Sequence, residues 1–171
     1  SSTSSDESAP ADDEQVDTTV PYAAPSAATS QLKTSIEAAT AGMDGVSVTY
    51  MVAGSPSDGF SINGDVSHVS ASMIKLAILA DLCAQADAGV VSLDQTVELT
   101  ADDIVGGSGV LQGAEVGTSF ALRDLALHMI ADSDNIAANM LIDVLGMDNI
   151  NANAQALGLT GTSLQRRMMD T

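Results

Sequence analysis

The fold turns on one segment, Ser72-Met73-Ile74-Lys75-Leu76-Ala77-Ile78-Leu79-Ala80-Asp81-Leu82-Cys83, which continues to Ala88 and meets Gly89. It predicts a helix over 72–88: no Pro or Gly interrupts it, and Gly89 fits the position just past a helix end. Ile74, Leu76, Ile78, Leu79, Leu82 and Cys83 spread around nearly the whole circumference. Such a helix is expected in a core, with Cys83 as a small buried residue. Set into this run are one hydroxyl and one ammonium, Ser72 and Lys75. Positions i and i+3 share a helix face, so the ammonium lies beside the hydroxyl. The helix N-terminus adds a field that favours negative charge on the serine oxygen. A serine hydroxyl is a poor nucleophile at neutral pH and needs a base. Lysine can be that base only when neutral. Its pKa must fall from about 10.4 to near 7, a change worth roughly 4 kcal/mol, which desolvation in an apolar helix can supply. Ser and Lys three apart are common on solvated helices, so this pair alone does not decide a chemistry.

Upstream, Leu32, Ile36, Ala39 and Met43 recur at helical spacing from Gln31, with Gly42 or Gly45 as the stop. Val46, Val48, Tyr50 and Val52 then alternate like a strand. Ser55-Pro56-Ser57-Asp58-Gly59 reads as a turn, Phe60 and Ile62 as the start of a second strand, and Asn63-Gly64 as a further turn. An antiparallel hairpin is the expectation. Downstream, Thr100 and Asp103 have capping-box spacing. Residues 121–131, 135–145 and 148–157 read as helices, with Gly146 and Gly158 as stops. Residues 1–29 hold six acidic residues between Asp6 and Asp17, no basic ones and almost nothing to bury. They are expected to form a disordered acidic Ser/Ala/Pro-rich tail, a spacer or linker remnant, with the folded part over 30–171.

A second motif, Ser133-Asp134-Asn135, lies between two of the helical stretches. S-x-x-K followed by S-D-N at a helix–helix junction resembles the signature of class A β-lactamases and penicillin-binding proteins. Gly107-Ser108-Gly109-Val110-Leu111 resembles the loop that borders this family's site, and the resemblance runs from about Gln31 to the end. It implies an α+β fold: an N-terminal helix and antiparallel hairpin belonging to a sheet, next to an all-helical domain, with the site between. It implies that Ser72 is the nucleophile, Lys75 its base, Ser133 a proton relay to the leaving group and Asn135 the holder of the substrate's amide. The substrates implied are β-lactams or D-alanyl peptides of peptidoglycan type, with no cofactor or metal, in a secreted or envelope-anchored protein.

Two departures qualify the resemblance. The family's third motif, K-[ST]-G, does not follow Ser133 within these 171 residues, and Lys33-Thr34-Ser35 stands too early to replace it. The motif's strand supplies a cation and one oxyanion N–H, and one such donor is worth about 100- to 1000-fold in rate. The C-terminal strands are thus expected from elsewhere, as a second chain, a swapped copy or a longer precursor, and the 171 residues alone are expected to be nearly inactive. Second, the family carries a water-activating Glu in a pattern like T-x-L-x-R-x-E. Here Thr162-Ser163-Leu164-Gln165-Arg166-Arg167-Met168 puts Met168 at that place, with Asp170 the only nearby carboxylate. Loss of a general base costs roughly 100- to 10,000-fold. A slow-deacylating, penicillin-binding behaviour, or a non-catalytic envelope domain, is therefore the alternative reading. By the same resemblance, Arg166 is expected to brace this loop against a buried acid.

Composition narrows the rest. The formal net charge is −18, from 5 Lys+Arg against 23 Asp+Glu, which opposes binding to nucleic acid or an anionic membrane surface. Hydrophobic residues make up 45% of the chain but aromatic ones only 2%, so the core must be built of Ala, Val, Ile, Leu and Met. One cysteine permits no internal disulfide. His68 and His128 have no companions at metal-ligand spacing. Met140, Met147, Met168 and Met169 read as core filling.

Overall fold

The computed structural model describes residues 24–170, which fall into two compact units, one ending at Val66 and the other beginning at Ser67. The fold class is α+β, as expected from the sequence. No helix among the described residues is long and apolar enough to cross a membrane.

In the first unit, helix α1 spans Ala27–Thr40. It starts four residues before Gln31 because Ser26 supplies the cap: the Ser26 hydroxyl accepts the Thr29 N–H at 3.2 Å. The boundary expected at residue 29 therefore moves back, and the rest of the expected tail, 1–23, lies outside the described residues. Strands β1 (Val48–Val52) and β2 (Ser55–Ile62) pair antiparallel, with Tyr50 opposite Phe60 and their rings stacked 5.5 Å apart. The turn expected over Ser55–Gly59 is instead part of β2, and Ala53-Gly54 makes the connection. The pairing shifts between Met51 and Val52, so that Pro56, Ser57 and Asp58 bulge from the ladder. Turn-forming residues, including a proline that cannot donate to a ladder, find the same freedom in a bulge. Asp58 in this bulge accepts the Ser26 N–H at 2.8 Å and so ties β2 to the start of α1.

The second unit holds the core. Helix α2 spans Lys75–Asp87, α3 Leu122–Ala131, α4 Asn135–Leu145 and α5 Met147–Ala156. Strands β3 (Thr96–Glu98) and β4 (Ser119–Ala121) form a small antiparallel ladder. The buried apolar residues are all Ala, Ile, Leu or Met, including Ile78, Leu82, Leu122, Leu125, Met129, Ile136, Leu141 and Ile150. Helix α4 is the centre: every residue except Asp143 and Val144 is buried. Helix α2 ends as its sequence predicts. Gly89 takes φ 70°, its N–H bonds to Ala86 O, and the Val90 N–H reaches back to Gln85 O, the paired closure that a left-handed glycine permits.

Two expectations for α2 are corrected. Ser72 lies in a single 3-10 turn, Ala71–Ile74, that leads into the α-helix at Lys75. The helix is also not buried all round. Ile74, Ala77, Ile78 and Leu82 face the core, whereas Met73, Leu76 and Cys83 are exposed. At 100° per residue, positions 76 and 83 fall opposite 78 and 82, and only the latter side packs against α4 and α5.

Candidate active site

The side chains of Ser72, Lys75, Ser133 and Asn135 come together, although they leave the chain from two segments. Lys75 is only 2% exposed. Its ammonium has three protons and meets three acceptors: Ser133 O at 2.6 Å, Asn135 Oδ1 at 2.8 Å and Ser133 Oγ at 3.2 Å. Ser133 Oγ in turn donates to Ser72 Oγ at 2.9 Å. A continuous path therefore runs from Ser72 through Ser133 to Lys75. Among the described residues, Lys75 makes no direct hydrogen bond to Ser72. Ser72 itself is exposed, so it can meet a ligand while its companion is shielded from water. Desolvation holds the Lys75 pKa below its usual value, and the negative charge of Asp134 opposes that fall.

Backbone geometry makes this convergence possible. Ala71 and Ser133, neither of them glycine, adopt left-handed φ values of 46° and 52°. Each such residue costs about 1–2 kcal/mol, and the two flank the convergence point of the site. The Ser133 turn aims both its carbonyl and its hydroxyl at Lys75.

Asp134 points elsewhere. It is 0% exposed. One carboxylate oxygen accepts the Ala137 N–H at 2.9 Å and caps α4; the other accepts the Val110 and Leu111 N–H groups at 2.7 and 2.8 Å. Asn135 joins the same loop, with its side chain donating to Gly106 O and its N–H to Ser108 O. This close approach leaves no room at Gly109. That residue has φ 134°, and a Cβ there would fall 2.8 Å from Asp134 Cα as well as against the carboxylate. Gly109→Ala is expected to destabilise the protein by about 1–3 kcal/mol from backbone strain alone. Chemical denaturation of the variant beside the parent protein checks this, and an unchanged midpoint would contradict it.

The segment 162–169 forms another wall. Two asparagine side chains clamp its backbone in the same way. Asn151 on α5 accepts the Leu164 N–H at 2.7 Å and donates to Leu164 O at 2.9 Å. Asn139 on α4 accepts the Met168 N–H at 2.7 Å and donates to Met168 O at 3.4 Å. The bracing arginine is Arg167, not Arg166. Its guanidinium lies 2.6 Å from buried Asp103 and 3.3 Å from Asp143, while Arg166 is exposed and has no ion pair among the described residues. Asp143 has a half-exposed side chain, and the partial desolvation of its carboxyl pushes its pKa up against the pull of Arg167, with Asp103 adding to the rise. Asp103 does two jobs. Its other oxygen accepts from Thr100 N and Oγ1 at 2.9 and 2.6 Å, the capping box expected from the sequence.

A cleft of about 760 Å³ is bordered by Ser72, Gly107, Ser108, Asn135 and the 161–169 segment. Met168 lines it, and no Asp or Glu is among its described lining residues; Asp170 stands outside. Met140 is buried and Met147 and Met168 half-buried against the core, but Met169 is exposed with φ 67°, so core filling does not extend to it. His68 also borders the cleft. His128 pairs with Asp132 at 3.0 Å.

Sequence reasoning missed Asn139, Asn151, Arg167 and Asp103 as site-building residues. A signal existed for part of this set. Asn135, Asn139 and Asp143 recur every fourth residue in an otherwise apolar helix. They form one polar stripe, which a buried helix tolerates only where each polar group has a partner.

The comparisons follow the same lines. Residues 27–171 match the model of the beta-lactamase enzyme family. The chain is similar to the crystal structure of a beta-lactamase from Sphaerobacter thermophilus, with 34% identity and a TM-score of 0.73, over 81% of this chain and 52% of that one. It is similar to PBP-A, with 29% identity and a TM-score of 0.76, over 82% and 54%. It is similar as well to a mutant of PBP-A solved as an acyl-enzyme complex with penicillin G, with 28% identity and a TM-score of 0.74, over 82% and 54%. The chain thus spans about half the length of these solved structures. No curated protein matches it significantly. With the family model covering everything from the first residues of α1 onward, the chain belongs to the beta-lactamase enzyme family.

Proposed function

We propose that the full-length protein is a serine acyl-enzyme acting on β-lactams or D-alanyl peptides outside the cytoplasm, and that it deacylates slowly. The observation that carries the reading is the hydrogen-bonded path from Ser72 through Ser133 to Lys75. Ser72 Oγ attacks the carbonyl carbon, and its proton passes by way of Ser133 to neutral Lys75. The carbonyl carbon–nitrogen bond then breaks, Ser133 hands a proton to the departing nitrogen, and an ester on Ser72 remains. Asn135 already has both ends of its amide engaged, by Lys75 and Gly106, so it presents a fixed surface to a substrate amide. The Ser72 N–H is one oxyanion donor in this reading. Slow deacylation rests on Met168 and on the lack of a carboxylate among the described cleft-lining residues. Hydrolysis of the ester needs an activated water, and a thioether activates none. The acyl-enzyme of a PBP-A mutant with penicillin G is a precedent in a similar structure.

The test is labelling of the full-length protein with a fluorescent penicillin, followed by peptide mapping. The expected label is on Ser72, and a chromogenic cephalosporin should show a single burst. Rapid multiple turnover would overturn slow deacylation. No label on a folded protein would overturn the acyl-enzyme reading and favour a non-catalytic domain on the same fold.

A further inference from the structure

We propose that Arg166 is a specificity residue: its guanidinium pairs with a carboxylate on the acyl side of the substrate, so the preferred acyl donors are β-lactams or peptides with an acidic acyl group. The inference rests on the function proposed above and adds the class of substrate. It begins from the cations. The chain holds only 5 Lys+Arg, and all but one have partners. Lys33 pairs with Glu37, Arg123 with Asp94, and Arg167 with Asp103 and Asp143. Lys75 gives its three protons to Ser133 and Asn135. Arg166 alone has no partner among the described residues. In a chain with 23 Asp+Glu, an arginine stays unpaired only where acids are kept away from it. The cleft that Arg166 borders meets that condition, because its described lining contains no Asp or Glu.

Arg166 borders the same cleft as Ser72 and Asn135. Its side chain is exposed, while the backbone around it is fixed. Asn151 clamps Leu164, two residues before it, and Asn139 clamps Met168, two residues after it. A flexible cation on a fixed support can meet a ligand without any movement of the wall. This wall runs along the Asn135 side of the cleft. Asn139 stands one turn after Asn135 on α4, and a Cβ on Gly107 would meet both Asn135 Nδ2 and, at 3.5 Å, Met169 Sδ. Arg166 is two residues from Met168, at most about 7 Å of chain. In the proposed reaction Asn135 meets the substrate amide, so the acyl group beyond that amide projects toward the wall that carries Arg166. The cleft, about 760 Å³, lies within the roughly 300–1,000 Å³ of sites that enclose a small ligand. The carboxylate common to all penicillins is the charge of the K-[ST]-G strand in this reading, which leaves Arg166 for a second one. The net charge of −18 repels such a doubly anionic substrate, and Arg166 offsets that repulsion at the point of contact. A guanidinium takes a carboxylate through two parallel hydrogen bonds.

The experiment measures acylation of the full-length protein by three penicillins that differ only on the α-carbon of the acyl side chain: benzylpenicillin with hydrogen, carbenicillin with a carboxylate and ampicillin with an ammonium. Each competes with a fluorescent penicillin for Ser72, which gives its second-order rate constant. The ratio of carbenicillin to benzylpenicillin is expected to be roughly tenfold higher in the parent than in Arg166→Gln, the lower end of what a charged cleft adds to an association rate. That excess should shrink with added salt. Arg166→Lys should keep part of the preference, and Arg166→Glu should transfer it to ampicillin. A merely structural role would move all three rate constants together. A ratio equal in the parent and a folded Arg166→Gln protein overturns the inference. This includes the case in which all three penicillins slow alike, since the guanidinium then serves the carboxylate they share or an acid elsewhere in the full-length protein. If Arg166→Gln does not fold, a parent ratio that does not change with salt overturns the inference by itself. Absence of any label on the parent protein overturns the acyl-enzyme reading and this inference together, whereas label without the charge preference overturns this inference only.

Discussion

Replacing Lys75 with alanine is expected to slow acylation of the full-length protein by about 100- to 10,000-fold, the range for loss of a positioned general base. The effect is large because the site has no substitute. Among the described residues lining the cleft there is no carboxylate, and the one hydrogen bond from Ser133 Oγ to Ser72 leads on to Lys75. The same lysine sets a pH dependence. Burial lowers its pKa below 10.5 despite Asp134, so the neutral form becomes populated before an exposed lysine would titrate. Acylation should rise with pH to a midpoint below 10.5, and Lys75→Ala should flatten that rise. Stability follows with the opposite-charge logic of a depressed lysine. The folded protein carries the full cost of the buried ammonium at pH values below the folded-state pKa. That cost fades as pH rises from there toward 10.5, so the lysine's contribution improves with increasing pH in this window. Stopped-flow acylation across pH checks the first point and denaturant melts across pH the second. Parent-like acylation by a folded Lys75→Ala protein would remove the lysine from the mechanism.

Asp134→Ala is expected to cost roughly 3–5 kcal/mol of stability. Its carboxylate is the shared acceptor for three backbone N–H groups, two of them in the 106–111 loop and one in the first turn of α4. The residue is fully buried, so no solvent waits to replace it, and each buried donor left without an acceptor costs about 1–3 kcal/mol. The Leu111 and Ala137 bonds are buried and the Val110 bond part-buried, so the three together fall in the lower part of that summed range, about 3–5 kcal/mol, a large share of the ~5–15 kcal/mol that holds a typical domain together. Asp134→Asn keeps one acceptor oxygen but turns an amide NH2 toward donors, so it should fall between the two. Urea midpoints of the three proteins give the order. Because Asp134 sits between Ser133 and Asn135 in the chain, the alanine variant should also lose Ser72 labelling. A midpoint within error of the parent's would show that the carboxylate is not the anchor described.

Much of the helical unit could be read in advance, for local reasons. The ends of α2, α4 and α5 follow from Gly89, Gly146 and Gly158, because a left-handed residue ends a helix whatever packs against it. The Thr100–Asp103 box formed as its spacing implied. The hairpin was legible in kind but not in detail. Ser55-Pro56-Ser57-Asp58-Gly59 has the composition of a turn, and only the pairing partner decides whether those residues turn the chain or bulge from a strand. Cys83 and Leu76 show the converse limit. An all-apolar helix circumference does not reveal which side its neighbours cover.

The candidate site divides the same way. Sequence alone placed Ser72 with Lys75 and Ser133 with Asn135, since each pair lies within one helical turn or one junction, and separations of two or three residues are governed by local geometry. Only the tertiary structure decided that the hydroxyl of Ser133 stands between the other two groups. It alone also moved the bracing role from Arg166 to Arg167 and assigned Asn139 to the backbone of Met168. Those contacts join residues far apart in sequence. They form where buried donors, acceptors and charges must find partners, and which partners are within reach depends on how α4 packs beneath its loops.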